Sequence, residues 1–131
     1  MAGLNAAMTA TNLNVQTSKA LGGDGGVFHF ANTGTTTITL TTPVFSTITA
    51  SANGGIGSFS GTTMSLTTTD FSVDTCAAQA GYGGGFAFTN TGTTTLSFTR
   101  ASVTTSSKAA TYGGFIYQSG GTDFSLTLST F

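Results

Sequence analysis

The sequence predicts an all-β chain that forms a single parallel β-solenoid, and three observations lead to this expectation. Glycine recurs every 29 residues, with an aromatic residue four positions after each one; the pairs are Gly26 and Phe30, Gly55 and Phe59, Gly84 and Phe88, and Gly113 and Tyr117. A fixed period of this length is typical of solenoids, in which each repeat is one coil. Short segments also alternate apolar and hydroxyl side chains, as half-buried strands do. Threonine, whose branched Cβ favours strands, supplies most of the hydroxyls.

Length and composition fit one domain over residues 1–131. We expect about four and a half coils of about 29 residues, with a partial first coil over residues 1–24 and further coils that begin near residues 25, 54, 84 and 113. Charged residues make up 5% of the chain and the net charge is −1, which favours neither nucleic acid nor an anionic membrane as partner. We also expect no membrane span and no secretory signal peptide in Met1–Ala10.

The second coil shows the predicted elements most completely. Residues 27–30 alternate in polarity and form its predicted first strand. A turn over residues 32–37 follows, and its sequence recurs unchanged in the fourth coil. Residues 38–41 form the predicted second strand, and a third strand is expected near Phe45 and Ile48.

Equivalent residues of stacked coils should form columns along the solenoid axis. Phe30, Phe59, Phe88 and Tyr117 form the predicted aromatic column, in which neighbouring rings stack. Three further inward columns are predicted: Met8, Ile38, Met64, Leu96 and Phe124; Ala10, Leu40, Leu66, Phe98 and Leu126; and Val15, Phe45, Phe71, Val103 and Phe131. The last two columns are five residues apart in every coil, which supports the alignment.

Paired glycines at the coil corners, as at Gly54–Gly55, resemble the Gly-Gly-x-aromatic repeats of right-handed parallel β-helix proteins. Such repeats occur in polymorphic outer-membrane and adhesin-type surface proteins, and the same architecture includes pectate-lyase-like folds. The resemblance covers nearly the whole chain and implies right-handed winding and an extracellular or cell-surface location. It does not select an activity, because this fold carries enzymes, adhesins and inert fibres alike.

The residues that could carry catalysis do not form a pattern. The carboxylates fall at different coil positions; they are Asp24, Asp70, Asp74 and Asp123. They therefore do not line up on successive coils as a calcium site or a general acid–base pair requires. His29 has no metal-ligating partner, and Cys76 is the single cysteine, which excludes an internal disulfide. We therefore expect that the protein is not an enzyme and that it binds no cofactor and no metal ion.

Outward hydroxyl residues form two predicted rows. One row is Thr9, Thr39, Ser65, Ser97 and Ser125, and the next is Thr11, Thr41, Thr67, Thr99 and Thr127. These rows are similar to the threonine arrays of β-solenoid ice-binding proteins, which implies a surface that orders water. Threonine is also the usual outward residue of any strand, and its abundance would equally suit O-glycosylation of an extracellular fibre.

The two ends of the predicted rod differ in bulk. The apolar residues assigned to them are Met1, Met8 and Val15 at one end and Phe115, Tyr117, Phe124, Leu126 and Phe131 at the other. Such ends favour head-to-tail contact between copies, so the leading hypothesis is a non-catalytic subunit of an extracellular or surface filament. Ice binding by the hydroxyl rows is the alternative. A glycan-binding adhesin module, with Tyr82 and Tyr112 as the sugar platform, is a further one.

Overall fold

The structure, a computed structural model, describes residues 4–129, and within this range it describes the side chains of all residues except 105–107. Every regular element within residues 4–129 is a β-strand. In chain order the strands are β1 (Ala6–Thr11), β2 (Asn14–Val15), β3 (Ser18–Ala20), β4 (Phe28–Ala31), β5 (Thr35–Thr41), β6 (Val44–Phe45), β7 (Ile48–Ala50), β8 (Gly57–Ser60), β9 (Thr63–Thr69), β10 (Ser72–Ala78), β11 (Phe86–Phe88), β12 (Thr93–Thr99), β13 (Ser102–Ala109), β14 (Ile116–Gln118) and β15 (Asp123–Leu128).

These strands form three parallel sheets, one on each side of the coil. Sheet A has the order β1-β5-β9-β12-β15, and sheet C has the order β4-β8-β11-β14. Sheet B has four rows, which are β2 with β3, β6 with β7, β10, and β13. Each coil passes through the sheets in the sequence C, A, B before it stacks on the next one. The prediction of an all-β parallel solenoid is therefore confirmed, with about four turns; its handedness stays a prediction.

The first strand of a coil lies in sheet C, the second in sheet A and the expected third in sheet B. That third strand is confirmed as β6 and β7 in the second coil. The predicted turn over residues 32–37 is shorter than expected, because β5 already begins at Thr35. Thr36 lies inside the solenoid, where its hydroxyl accepts a 2.8 Å hydrogen bond from the Asn32 side-chain amide. Asn90 and Thr94 make the same contact in the fourth coil. A paired hydroxyl can be buried at little cost, so the strand extends into the threonine run.

Phenylalanine rings fill the interior. Phe30 stacks on Phe59 at 5.8 Å between ring centroids, and Phe59 stacks on Phe88 at 5.2 Å, so this part of the aromatic column is confirmed. The assignment of Tyr117 to the column is wrong. Phe88 pairs with Gln118, whereas Tyr117 pairs with Ala87 and points outward. The coil from Phe88 to Gln118 has one residue more than the two before it, and a one-residue shift moves a side chain to the other face of a strand.

The predicted columns of sheet A are correct in face but wrong in register at two strands. The observed inward columns are Ala6, Thr36, Met64, Thr94 and Phe124; Met8, Ile38, Leu66, Leu96 and Leu126; and Ala10, Leu40, Thr68, Phe98 and Leu128. Met64 and Phe124 therefore lie two residues away from their predicted neighbours. The alignment matched apolar residues to apolar residues, whereas the real columns bury threonine in three places.

The same two-residue shift displaces Phe71. Val73 takes its predicted place in sheet B, between Phe45 and Val103. Phe71 instead lies at the corner between sheets A and B, where its buried ring packs edge-on against Phe98 at 5.6 Å. Phe131, the last predicted member of that column, lies outside the described residues.

Candidate binding surface

The outer side of sheet A carries almost entirely hydroxyl side chains, and we call it the hydroxyl face. Three columns cross four or five strands: Ala7, Thr37, Ser65, Thr95 and Ser125; Thr9, Thr39, Thr67, Ser97 and Thr127; and Thr11, Thr41, Thr69 and Thr99. A further column at the sheet margin contains Thr35, Thr63, Thr93 and Asp123. All ten residues of the two predicted rows point outward here.

The grouping of those ten residues into two rows is wrong at two strands. Thr39 lies beside Thr67, whereas the prediction placed it beside Ser65. In the same way, Ser97 lies beside Thr127 and not beside Ser125. The cause is the two-residue shift of β9 and β15 already seen on the inner side. The correction makes the central column more uniform, since it now holds four threonines and one serine.

Residues such as Thr37, Thr69 and Thr95 also belong to the face but were absent from the predicted rows. Thr37 and Thr95 were assigned to turns, because a run of three threonines shows no alternation in polarity. The sequence feature that could have identified them is the position of Asn32 and Asn90. The side-chain amides of these residues donate hydrogen bonds to an inward threonine hydroxyl, which allows the strand to begin earlier.

The hydroxyl face is regular in its backbone pairing. Each of its four strand-to-strand ladders runs without a register shift, whereas sheet B contains a shift between β10 and β13. Neighbouring strands of a sheet are ~4.8 Å apart, and alternate residues along a strand are about 6.6–6.8 Å apart. Side chains such as Thr9, Thr67 and Thr95 are exposed, and Thr39 and Thr99 are half-buried.

Charged side chains lie around the face rather than on its central columns. Lys19 and Lys108 belong to β3 and β13 of sheet B. Asp70 and Arg100 lie at the corner between sheets A and B, in successive coils. There Arg100 donates from Nε to Asp70 Oδ1 at 2.5 Å and from Nη2 to Oδ2 at 2.8 Å. Asp123, in the margin column, is the one charged residue that the described part of the chain places on the face.

The hydrogen bonds from Arg100 hold the pKa of the Asp70 carboxyl below its ordinary value, and the attraction between the charges acts in the same direction. The same contacts raise the pKa of Arg100. Both residues have positive φ, as do Asn12 and Thr42 at the same corner of the earlier coils. The partner of the Asp70 carboxylate is the guanidinium of Arg100 in the next coil. The pair therefore ties two coils together beside the hydroxyl face.

The C-terminal end of the solenoid exposes apolar side chains. Phe124, Leu126 and Leu128 continue the inward columns of sheet A, and their exposed fractions are 47%, 41% and 46%. At the other end Met8 and Val15 are half-buried and pack against the core, and at the C-terminal end so does Phe115. Met1 and Phe131, also predicted for the ends, lie outside the described residues. Among the described residues, the outer strands β1 and β15 each pair with one neighbouring strand.

Tyr117 belongs to a separate aromatic cluster on the outer side of sheet C. Its ring stacks on Tyr82 at 4.4 Å between centroids with 15° between the planes. Tyr112 lies parallel to Tyr82 at 5.9 Å, and 65% of its surface is exposed. Tyr82 and Tyr112 are the two residues proposed as a sugar platform, and that use stays a prediction.

The residues considered for catalysis are dispersed. Asp24 accepts hydrogen bonds from the backbone and side-chain amides of Asn53, in the next coil. His29 is exposed on β4, and Cys76 is buried in the core. Within residues 4–129 no three His, Cys, Asp or Glu side chains group as metal ligands would. The same residues include no helix of the length and hydrophobicity that a bilayer span requires.

Comparison with known proteins gives no relative: no family model, curated protein or solved structure matches the chain.

Proposed function

We propose that the chain is a non-catalytic surface-binding solenoid whose hydroxyl face orders water and binds ice. The observation that carries this proposal is the corrected column structure of sheet A. Thr9, Thr39, Thr67, Ser97 and Thr127 form an unbroken central column. Columns of threonine and serine flank it on both sides, with Ala7 as the one apolar member. A binding surface for a periodic solid needs repeated, equally spaced groups, and the ladder of a parallel sheet supplies that spacing.

The spacing of the strands matches the geometry of hydrogen-bonded water. Hydroxyl groups bond to water at about 2.7–2.8 Å, so two oxygens held by one tetrahedral water lie about 4.5 Å apart. Hydroxyls on neighbouring strands are ~4.8 Å apart. One water can therefore bridge each pair of neighbouring hydroxyls along a column. The threonine methyl groups fill the spaces between the bridges, and β-branching restricts χ1, so the array is ordered before water binds.

The absence of charge from the central columns supports the same proposal. An ammonium or carboxylate group holds a strong hydration shell of its own, and that shell would compete with a lattice. At the corner beside the face, the charges of Asp70 and Arg100 neutralise each other. The margin carboxylate Asp123 lies on β15, the terminal strand. The central columns are left neutral.

The test replaces a threonine at the centre of the face with a bulky side chain. Thr67→Tyr places a ring over its neighbours in the central column, so we expect thermal hysteresis and inhibition of ice recrystallisation to be lost. The matched control is Thr49→Tyr on β7, an outward threonine of sheet B. It should retain both activities and the same circular dichroism spectrum. No hysteresis in the unaltered protein, or equal losses in both variants, contradicts the proposal.

A second proposal, stacking of copies into a filament, is supported by the exposed apolar end. If β15 of one copy pairs with β1 of the next in the register of sheet A, Phe124 faces Ala6 and Leu128 faces Ala10. Large side chains then meet small ones, as Phe124 meets Thr94 within the chain. The contact would also continue the hydroxyl face from one copy to the next.

This filament proposal ranks second because the three sheets have unequal numbers of strand rows, so they cannot all pair across one junction. Sheet A has five strands, whereas sheet C has four strands and sheet B has four rows. If β15 pairs with β1 of the next copy, one strand row is missing between the two copies in sheet B and one in sheet C. The contact between copies is thus confined to sheet A, and a six-residue strand edge forms a small interface.

Sedimentation velocity over a wide concentration range tests this second proposal. We expect the unaltered protein to associate and Leu126→Asp, which places a charge in the contact, to remain monomeric. Thr127→Asp, on the opposite side of the same strand, should still associate. Negative-stain images should show rods longer than one copy, and a monomer at every concentration would refute the filament.

A further inference from the structure

All three tyrosines of the chain lie in the one cluster outside sheet C. The largest fully buried rings of the core are phenylalanines instead, among them Phe45, Phe59, Phe71, Phe86, Phe88 and Phe98. A phenol hydroxyl needs a polar partner, so tyrosine belongs where its hydroxyl can reach water. The cluster combines solvent access with ring stacking, which none of the buried rings offers.

The backbone around Tyr82 is fixed by a ladder of side chains along the corner. Asn53 donates its backbone N–H to Asp24 Oδ1 at 2.8 Å, and Tyr82 donates its backbone N–H to Asn53 Oδ1 at 2.9 Å. The Tyr82 carbonyl accepts a 2.8 Å bond from the backbone of Gly54. Tyr117 is fixed separately, because it lies within β14 and pairs with Ala87. The two rings are therefore held in contact by elements from different coils.

We propose that Tyr82 and Tyr117 are a site of oxidative cross-linking, at which a haem peroxidase with hydrogen peroxide joins the two rings as dityrosine. Each phenol loses one electron and one proton. Hydrogen peroxide accepts the two electrons and two protons and becomes two molecules of water. The two phenoxyl radicals then form one carbon–carbon bond between ring Cε atoms. The two ring hydrogens move to the phenolic oxygens, so the product keeps both hydroxyl groups.

The stacked geometry favours this pair over the others. The centroids of Tyr82 and Tyr117 are 4.4 Å apart, so a small slide of one ring brings two Cε atoms together. Holding two reactants in contact makes their coupling effectively unimolecular and much faster than coupling between molecules. The ring of Tyr112 is more distant from that of Tyr82, at 5.9 Å between centroids, so coupling between these two rings is less favoured.

The bond would strengthen a weak part of the solenoid. Tyr117 belongs to β14, which pairs with one strand, β11, in the part of sheet C that the structure describes. Terminal elements with few neighbours open most readily. The chain contains one cysteine, so it cannot form an internal disulfide. Dityrosine is a covalent link between coils that the two stacked rings can supply.

The test exposes the purified protein to horseradish peroxidase and hydrogen peroxide at low protein concentration. We expect dityrosine fluorescence and a monomeric product that has lost two hydrogen atoms in mass. Peptide mapping should join the Tyr82 peptide to the Tyr117 peptide, at a rate independent of protein concentration. Tyr82→Phe and Tyr117→Phe should each abolish the product, because phenylalanine forms no phenoxyl radical.

Tyr112→Phe is the matched control and should still give the Tyr82–Tyr117 product. In the linked protein, amide hydrogen exchange in β14 should be slower than in the unlinked protein. A product linked mainly between molecules, a link that joins Tyr82 to Tyr112, or no dityrosine at all would overturn the proposal.

Discussion

Replacing Thr68 with valine should stabilise the solenoid. Thr68 is 0% exposed, and its hydroxyl has no hydrogen-bond partner among the described residues. It lies in the inward column between Leu40 and Phe98, both of which are buried. A buried polar group without a partner costs about 1–3 kcal/mol. Valine has the same shape and replaces the hydroxyl with a methyl group, which gains free energy on burial. We expect Thr68→Val to raise the free energy of unfolding by about 1–3 kcal/mol.

The measurement is equilibrium unfolding in urea, followed by circular dichroism, with the midpoint and the slope compared between variants. Thr67→Val is the matched control: Thr67 is the neighbouring residue, points outward and is exposed. Its effect should stay within about 0.5 kcal/mol, as for most surface substitutions. A lower stability for Thr68→Val, or equal effects at the two positions, would refute the assignment of Thr68 to the inside.

Two further substitutions test the core and the corner. Phe88→Ala removes a fully buried ring that stacks on Phe59, and we expect a loss of about 3–5 kcal/mol in urea unfolding; Phe30→Ala, at the half-buried end of the column, should cost less, and equal losses would argue against the column. Asp70→Asn should remove the stabilisation of the folded state by the ion pair with Arg100, because that ion pair requires the ionised carboxylate. Because the folded-state pKa of Asp70 is lowered, this contribution is present above about pH 3.9 and disappears as the pH falls through the folded-state pKa. Unfolding midpoints of the two proteins should therefore differ at neutral pH and converge in acid, and a constant difference would exclude this role.

The sequence predicts the faces of the strands well because the side-chain period in a strand is two. An alignment error of two residues, as at Met64 and Phe124, keeps every side chain on its correct side. The error at Tyr117 is one residue, and it moved that ring from the predicted core to the outside. Part of the irregularity of that coil is visible in β13, where the pairing with β10 shifts by one residue.

The register could not be derived from the pattern of apolar residues alone. Thr36, Thr68 and Thr94 are buried, so an alignment that places apolar residues inside favours the wrong neighbours. For Thr36 and Thr94 the burial depends on side-chain amides, which satisfy the hydroxyls from the preceding turn. That compensation is a contact in three dimensions and leaves no periodic signal.

Only part of the candidate surface was predicted, again because the register of the strands could not be derived from the sequence. Thr39 and Thr67 were both identified as outward residues, but their direct contact across the sheet depends on the register. The ion pair of Asp70 with Arg100 and the tyrosine cluster join residues about one coil apart, at corners where the coil lengths vary. Their positions follow from the lengths of individual turns, which composition does not determine.

A disulfide test measures the register of sheet A directly. In a background with Cys76→Ala, the pair Thr39→Cys and Thr67→Cys places two thiols on neighbouring strands with Cα atoms ~4.8 Å apart, within the range for a disulfide. The pair Thr39→Cys and Ser65→Cys is diagonal, at about 8 Å, and outside that range. We expect mild oxidation to join the first pair rapidly within one molecule and to leave the second pair reduced. Rapid closure of the second pair, with the first remaining reduced, would contradict the stacking of coils described above and the continuous threonine column that depends on it.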